Sequence, residues 1–155
     1  MNAVKYRRAV KSDVLAMARI RALSWGTEGY WQTRIAAYMD GELHPQLALM
    51  PRVNFVAIEG DSVVGLIAGH LTTRHACDGE LEWIDVIAEK RGSGVASELL
   101  RHLARWFVEK KAPRICVDVD PGNTVARRFY VRNGAEELKP HWLVWNDIGT
   151  ILGKQ

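Results

Sequence analysis

Alternating and helical spacings of apolar residues divide the chain into a succession of short elements. A strand over about 4–10 leads to Ser12-Asp13, side chains suited to cap a helix N-terminus. Val14, Leu15, Met17, Ala18, Ile20 and Leu23 then favour a helix. A second helix runs from about Glu28 to Met39 and carries Tyr30, Trp31, Ile35 and Tyr38. The stretch 40–52, with Gly41, Pro45 and Pro51, reads as loop. Asn54 to Glu59 and Val63 to Thr72 read as strands joined by Gly60-Asp61-Ser62, which makes a hairpin. Residues 73–79 read as loop and Glu80 to Ile87 as a strand. Gly94 to Lys110 is a helix whose buried stripe is Val95, Leu99, Leu103 and Trp106/Phe107. Arg114 to Val119 is a strand, Asn123 to Asn133 a helix stopped by Gly134, and Trp142 to Trp145 a last strand. Antiparallel hairpins followed by a β-α-β unit predict an α/β (α+β) fold: one domain over 1–155, with a mixed, mostly antiparallel sheet flanked by helices.

Composition narrows the function classes. The chain has 155 residues, 48% hydrophobic and 25% charged, which suits one globular domain. A net charge of +3, with Lys and Arg dispersed, argues against nucleic acid and still suits an anionic ligand. No apolar run is long enough for a membrane span, and the N-terminus lacks the apolar centre of a signal peptide. Cys77 and Cys116 belong to no C-x-x-C pair and are expected to be free thiols in the cytoplasm. None of the five histidines has metal-ligand spacing, so no metal is expected.

Candidate chemistry concentrates after the predicted strand Glu80 to Ile87. In Val86-Ile87-Ala88-Glu89-Lys90-Arg91-Gly92-Ser93-Gly94-Val95-Ala96-Ser97, a strand ends, a glycine-rich loop follows and a helix begins. Backbone N–H groups and the positive end of the helix dipole then meet at one spot, which suits a phosphate. Gly92 and Gly94 allow close backbone approach, small Ala96 and Ser97 leave room, and Arg91 adds charge. A Walker loop would need Gly-Lys-Ser/Thr here, and a Rossmann fingerprint would need an acid on the next strand; neither is present.

Arg91-x-x-Gly94-x-Ala96 fits the pattern [Gln/Arg]-x-x-Gly-x-[Gly/Ala], and Asn123-x-x-Ala126-x-x-Phe129-Tyr130-x-x-Asn133-Gly134 follows about 30 residues later. On these two motifs the chain resembles the GNAT superfamily of acetyl-CoA-dependent N-acetyltransferases, most strongly over about 80–135. The resemblance implies coenzyme A as cofactor. Its pyrophosphate would lie on Arg91, Gly92, Ser93, Gly94, Val95, Ala96 and Ser97, and its pantetheine arm near Asn123. Backbone groups of Ile84, Asp85 and Val86 would hold the acetyl carbonyl and pantetheine amide, and Tyr130 would protonate the departing thiolate. The plainer readings are a helix cap for Asn123 and a core aromatic for Tyr130. Ala96 in place of glycine, and Ala135 where the family usually has Phe, are departures that leave the chemistry untouched.

The resemblance also implies direct attack of an amine on the thioester, which needs a proton acceptor. Glu80 and Glu82 are the candidates, with Glu82 favoured. Strict alternation puts Glu80, Glu82, Ile84 and Val86 on one face, although the family often has a bulge in this strand that changes the parity. Three acids in six residues, Glu80, Glu82 and Asp85, should repel one another and raise one pKa. The plainer reading is a set of solvated or salt-bridged carboxylates. His70 and His141 are expected to be structural, and Trp25, Tyr30, Trp31 and Tyr38 to pack in a core. The acceptor is expected to be an amine of a small molecule or a peptide. A binding or sensing module for acyl-CoA on the same fold is the alternative. Exposed strand edges and the tryptophans near the C-terminus are compatible with a homodimer.

Overall fold

The computed structural model describes residues 3–153. Its sheet is built around an antiparallel pair, β2 (Ala48–Glu59) and β3 (Ser62–Thr72), closed by the Gly60-Asp61 turn. β1 (Val4–Arg8) pairs outside β2, and β4 (Gly79–Val86) pairs antiparallel with β3 on the other side. β5 (Ile115–Asp118) runs parallel to β4, and β7 (Trp142–Trp145) and β6 (Glu136–Lys139) complete the order β1-β2-β3-β4-β5-β7-β6. β4–β5 is the one parallel contact in this sheet, and it brings the chain back through α3 (Val95–Glu109), as a crossover must.

Helices cover both faces. α1 (Val14–Ala22) and α2 (Glu28–Met39) pack Met17, Ile20, Trp31, Ile35 and Tyr38 against Val56, Leu66, Ala68 and Trp83. On the other face α3 lays Val95, Leu99, Leu103 and Phe107 against Phe55, Ile67 and Leu81, and α4 (Thr124–Arg132) adds Tyr130. Close packing there requires glycine in the sheet: a Cβ on Gly69 would lie 2.9 Å from Leu103 Cδ1 and 3.1 Å from Phe107 Cζ.

The predicted elements are present, with four differences. β2 begins at Ala48, inside the segment read as loop; its pairing with β3 breaks between Leu49 and Arg52, where Pro51 has no N–H to give. β6 was not expected, because Glu136-Glu137-Leu138-Lys139 has no apolar run; it forms because it pairs with β7. A 3-10 turn, Arg74–Ala76, lies within the 73–79 loop. Asp13 does not cap α1 through its side chain; it accepts from Val10 N–H and from the Arg7 guanidinium, closing the turn before the helix.

Candidate active site

β4 carries the first determinant of the site. Along its pairing with β3, Ala68 opposes Trp83 while the next residue, Gly69, opposes Leu81. Glu82 is therefore the extra residue of a β-bulge, and strict alternation fails there. Leu81, Ile84 and Val86 pack with the α3 core, whereas Trp83 packs with the α1–α2 core. The expected common face of Glu80, Glu82, Ile84 and Val86 is thus corrected: Ile84 and Val86 lie opposite the face on which Glu80 and Glu82 meet His70.

The second determinant is an opening in the sheet. β4 pairs with β5 only from Gly79 to Leu81, so its remaining edge has no strand beside it. Ile87 N–H donates to Val64 of β3. Strand alternation then turns the N–H groups of Ile84 and Val86 to the unpaired edge and that of Asp85 toward β3. The Asp85 side chain is paired with Arg21, whose guanidinium sits 4.2 Å from the Trp31 ring centre and 5.0 Å from that of Trp83. Burial pushes the Asp85 carboxyl up, and the Arg21 charge and hydrogen bond oppose this.

The third is the N-terminus of α3. Gly94 occupies the N-cap position with φ +90°, and Gly92 has φ +77°, values that favour glycine. The first intrahelical bond runs from Glu98 N–H to the Gly94 carbonyl, and no side chain caps the end. The N–H groups of Val95, Ala96 and Ser97 thus lack intrahelical acceptors. A Cβ on either glycine would meet nothing within 4 Å, so the backbone here is open to a ligand. Arg91 is exposed, and Lys90 anchors the loop through Glu59. The Ser93 hydroxyl is already spent on the Lys90 carbonyl.

On α4, Asn123 is the N-cap, its Oδ1 accepting from Ala126 N–H at 3.2 Å, which leaves its Nδ2 free for another partner. Tyr130 is 6% exposed, with its ring edge-on to Trp145 and Phe129. Its hydroxyl has no hydrogen-bond partner among the described residues, yet it is not among the fully buried, unsatisfied atoms. Burial raises the Tyr130 pKa, and the charge of Asp85 adds to the rise, so the phenol keeps its proton.

On the α1–α2 face the two glutamates separate. Glu80 is buried and accepts from Arg74 Nε at 3.2 Å. Glu82 has no such cation in hydrogen-bond reach; burial pushes its pKa up and Glu80 adds to the rise, opposed by His70 and by the more distant charges of Arg34 and Arg21. The expected mutual repulsion is present but secondary to desolvation. His70, expected to be structural, is fully buried between them, with Nδ1 2.9 Å from the Tyr38 hydroxyl. Its link to the acids is across strands and has no sequence signature. These three residues place ligand-type atoms within 4.8 Å of one another, but Nδ1 is engaged by Tyr38 and Glu80 by Arg74, which makes the cluster a charge network.

An uncapped helix end, a strand edge with free N–H groups and an unpartnered phenol surround one opening in the sheet. This arrangement suits a ligand with phosphates at one end and an amide-bearing arm at the other. The chain belongs to the acetyltransferase (GNAT) family, whose model matches residues 17–135. Acetyl-CoA is the cofactor of that family. The fold is shared with an acetyltransferase from Thermus thermophilus, at 18% identity and TM-score 0.72, over 94% of this chain and 97% of that one. It is shared with the PaiA N-acetyltransferase of Thermoplasma acidophilum, solved with coenzyme A, at 15% identity and TM-score 0.66, over 92% and 96% of the two chains. The aminoglycoside N-acetyltransferase AAC(6')-Iy, solved with CoA, is similar at 22% identity and TM-score 0.73, over 90% and 91%.

Proposed function

We propose that the protein transfers the acetyl group of acetyl-CoA to a primary amine of a small molecule or peptide, by direct attack and without a covalent enzyme intermediate. The observation that carries this reading is the bulge at Glu82, which puts a carboxylate with no salt-bridged arginine or lysine on one face of β4 just where the strand's edge opens. Bound acetyl-CoA supplies an activated thioester. The N–H groups of Val95, Ala96 and Ser97, with the open backbone at Gly92 to Gly94 and the Arg91 charge, hold its pyrophosphate. Ile84 and Val86 N–H groups bind the acetyl carbonyl and the pantetheine amide and polarise the thioester. Asn123 contributes its free Nδ2 to the same arm. The Asp85 side chain, tied to Arg21, braces the wall of the site.

Glu82 accepts the amine's proton. Its partly buried carboxyl, raised above the ordinary value chiefly by desolvation, is the better proton acceptor of the two, while Glu80 is paired with Arg74. Tyr130 returns a proton to the leaving thiolate. Trp31, Tyr38 and Trp83 are buried in the α1–α2 core behind this carboxylate, whereas Trp25 and Tyr30, expected to pack there, are half exposed.

No helix among the described residues is long and apolar enough to cross a membrane, and the two buried free thiols fit a cytoplasmic protein. Trp145 is buried in its own chain and Trp142 meets His75 edge-on, so a homodimer would use the edge strands β1 or β6.

The test is a panel of amines, small molecules and peptides, assayed for thiol release from acetyl-CoA. Glu82→Gln is expected to lower kcat/KM for a turned-over amine by about 10²–10⁴-fold while calorimetric affinity for acetyl-CoA stays. Acetyl-CoA binding with no thiol release across the panel would instead indicate a binding module. Full activity in Glu82→Gln would remove this carboxylate from the reaction.

A further inference from the structure

The cluster behind Glu82 is more elaborate than a base requires. His70 on β3 is completely buried, yet both of its ring nitrogens face polar groups from other elements. Nδ1 meets the Tyr38 hydroxyl of α2 at 2.9 Å and lies 3.9 Å from Glu82 Oε1. Nε2 lies 3.6 Å from Glu80 Oε1, and it is a buried atom with no hydrogen-bond partner. A fully buried imidazole with an unmatched nitrogen beside two carboxylates is costly unless its charge state is linked to theirs.

We propose that His70 is the positioning residue for Glu82: a buried imidazole, held by the Tyr38 hydroxyl, whose charge acts across 3.9 Å on the Glu82 carboxylate, so that Glu82 is ionised and ready for the amine's proton. The inference rests on the reading of Glu82 as the base. Tyr38 makes the arrangement workable. Its hydroxyl donates to Nδ1 when the ring is neutral and accepts from Nδ1–H when the ring is charged, so the ring keeps its place in both states. Arg74 neutralises Glu80 from the turn after β3, at 3.2 Å, which leaves Glu82 as the carboxylate whose charge the imidazole balances. The other charged groups around the pair are cationic: Arg34 of α2 and Arg21 of α1 act on Glu82, and Arg52 of β2, opposite His70 in register, lies 4.7 Å from the Tyr38 ring centre. Arg21 is already bound to Asp85 and Arg52 to the Tyr38 and Leu43 carbonyls, so neither replaces His70.

When the amine's proton moves to Glu82, the carboxylate becomes a neutral acid and the pair holds one proton more. That proton leaves through the partly exposed Glu82, whose side chain is 16% accessible, and the next cycle starts from the same ionised carboxylate.

The experiment is a pH titration of the full-length protein by NMR, reading the ¹⁵N shifts of the His70 ring and the ¹³C shift of the Glu82 carboxyl. In the wild type the two signals should show common inflections, as electrostatically coupled groups do. His70→Gln, which still bonds Tyr38, should move the Glu82 titration to higher pH, about tenfold in proton affinity, because an opposite charge within this distance is removed. Independent inflections in the wild type, or an unchanged Glu82 titration in folded His70→Gln, would overturn the proposal; the wild-type measurement decides even where the variant does not fold. Kinetics separate the two layers. If Glu82→Gln abolishes the acidic limb of kcat/KM for an amine found in the panel, but His70→Gln leaves that limb in place, only the role of His70 fails. If Glu82→Gln retains the limb, the base assignment fails and His70 loses its role with it.

Discussion

Replacing Tyr130 by Phe removes one oxygen from a site that gives it no protein partner. The ring stays, with its edge contacts to Trp145 at 5.8 Å and Phe129 at 5.5 Å between centres. No intramolecular hydrogen bond is lost, so the stability change should stay below about 0.5 kcal/mol, or a Tm shift under about 2 °C for a chain of this size. The catalytic change is of another order. Proton transfer by a positioned side chain contributes about 10²–10⁴-fold, or roughly 2.7–5.4 kcal/mol of barrier. We therefore expect Tyr130→Phe to lower kcat at least about 100-fold while KM for acetyl-CoA changes only a few-fold. Steady-state thiol release with a turned-over amine, at varied acetyl-CoA and beside a thermal melt, measures all three. Burial keeps the phenol protonated beyond its ordinary range, so wild-type activity should show no basic limb from Tyr130 below pH 10. An unchanged kcat in the folded variant would refute the role, and a collapse of Tm would show that the hydroxyl has a structural partner.

Gly94→Glu puts bulk and negative charge into the open space before α3, at a φ of +90°; acetyl-CoA affinity by calorimetry should fall more than about 100-fold, against an effect of about 1 kcal/mol on stability from backbone strain. Gly79→Ala has no such freedom. Its Cβ would lie 2.9 Å from Ile115 Cδ1 and against the Phe107 ring, and the overpacking should cost about 1–3 kcal/mol, read as a lower denaturant midpoint at unchanged slope. Asp13 is held below the ordinary carboxylate value by its hydrogen bond to Arg7, outweighing the burial that pushes it up. Its stabilisation is therefore present above the unfolded value and lost as pH falls through the folded one. Asp13→Asn should destabilise by about 1 kcal/mol at pH 7, the half-exposed Arg7 limiting the size, and by much less at pH 3; equal losses at both would show that the charge is not the cause.

Much of the fold was readable because local physics is strong in this chain. The stripe Val95, Leu99, Leu103 and Phe107 marks α3, and the Gly60-Asp61 turn marks the central hairpin. Gly134 ends α4 with φ +102°, and Ala135 N–H closes back on the Tyr130 carbonyl. The elements that escaped are those without a local signal. β6 is polar and exists through β7, and the start of β2 crosses a proline that suggested a loop.

The sequence by itself determined the order of elements, the glycine-rich entry to α3 and the short list of acids and phenol from which a site is made. Those depend on neighbours along the chain: backbone conformation, helical spacing and capping. Which acid does what was decided only by tertiary structure. The bulge at Glu82 depends on the register between β3 and β4, and it turns Ile84 and Val86 away from the glutamates. Arg74 commits Glu80, Arg21 commits Asp85, and His70 and Tyr38 reach the remaining carboxylate from two other elements. A side chain's charge state is set by the burial and the partners it meets in space, and residues 21, 38, 70 and 82 meet only once the sheet and its helices have closed around them.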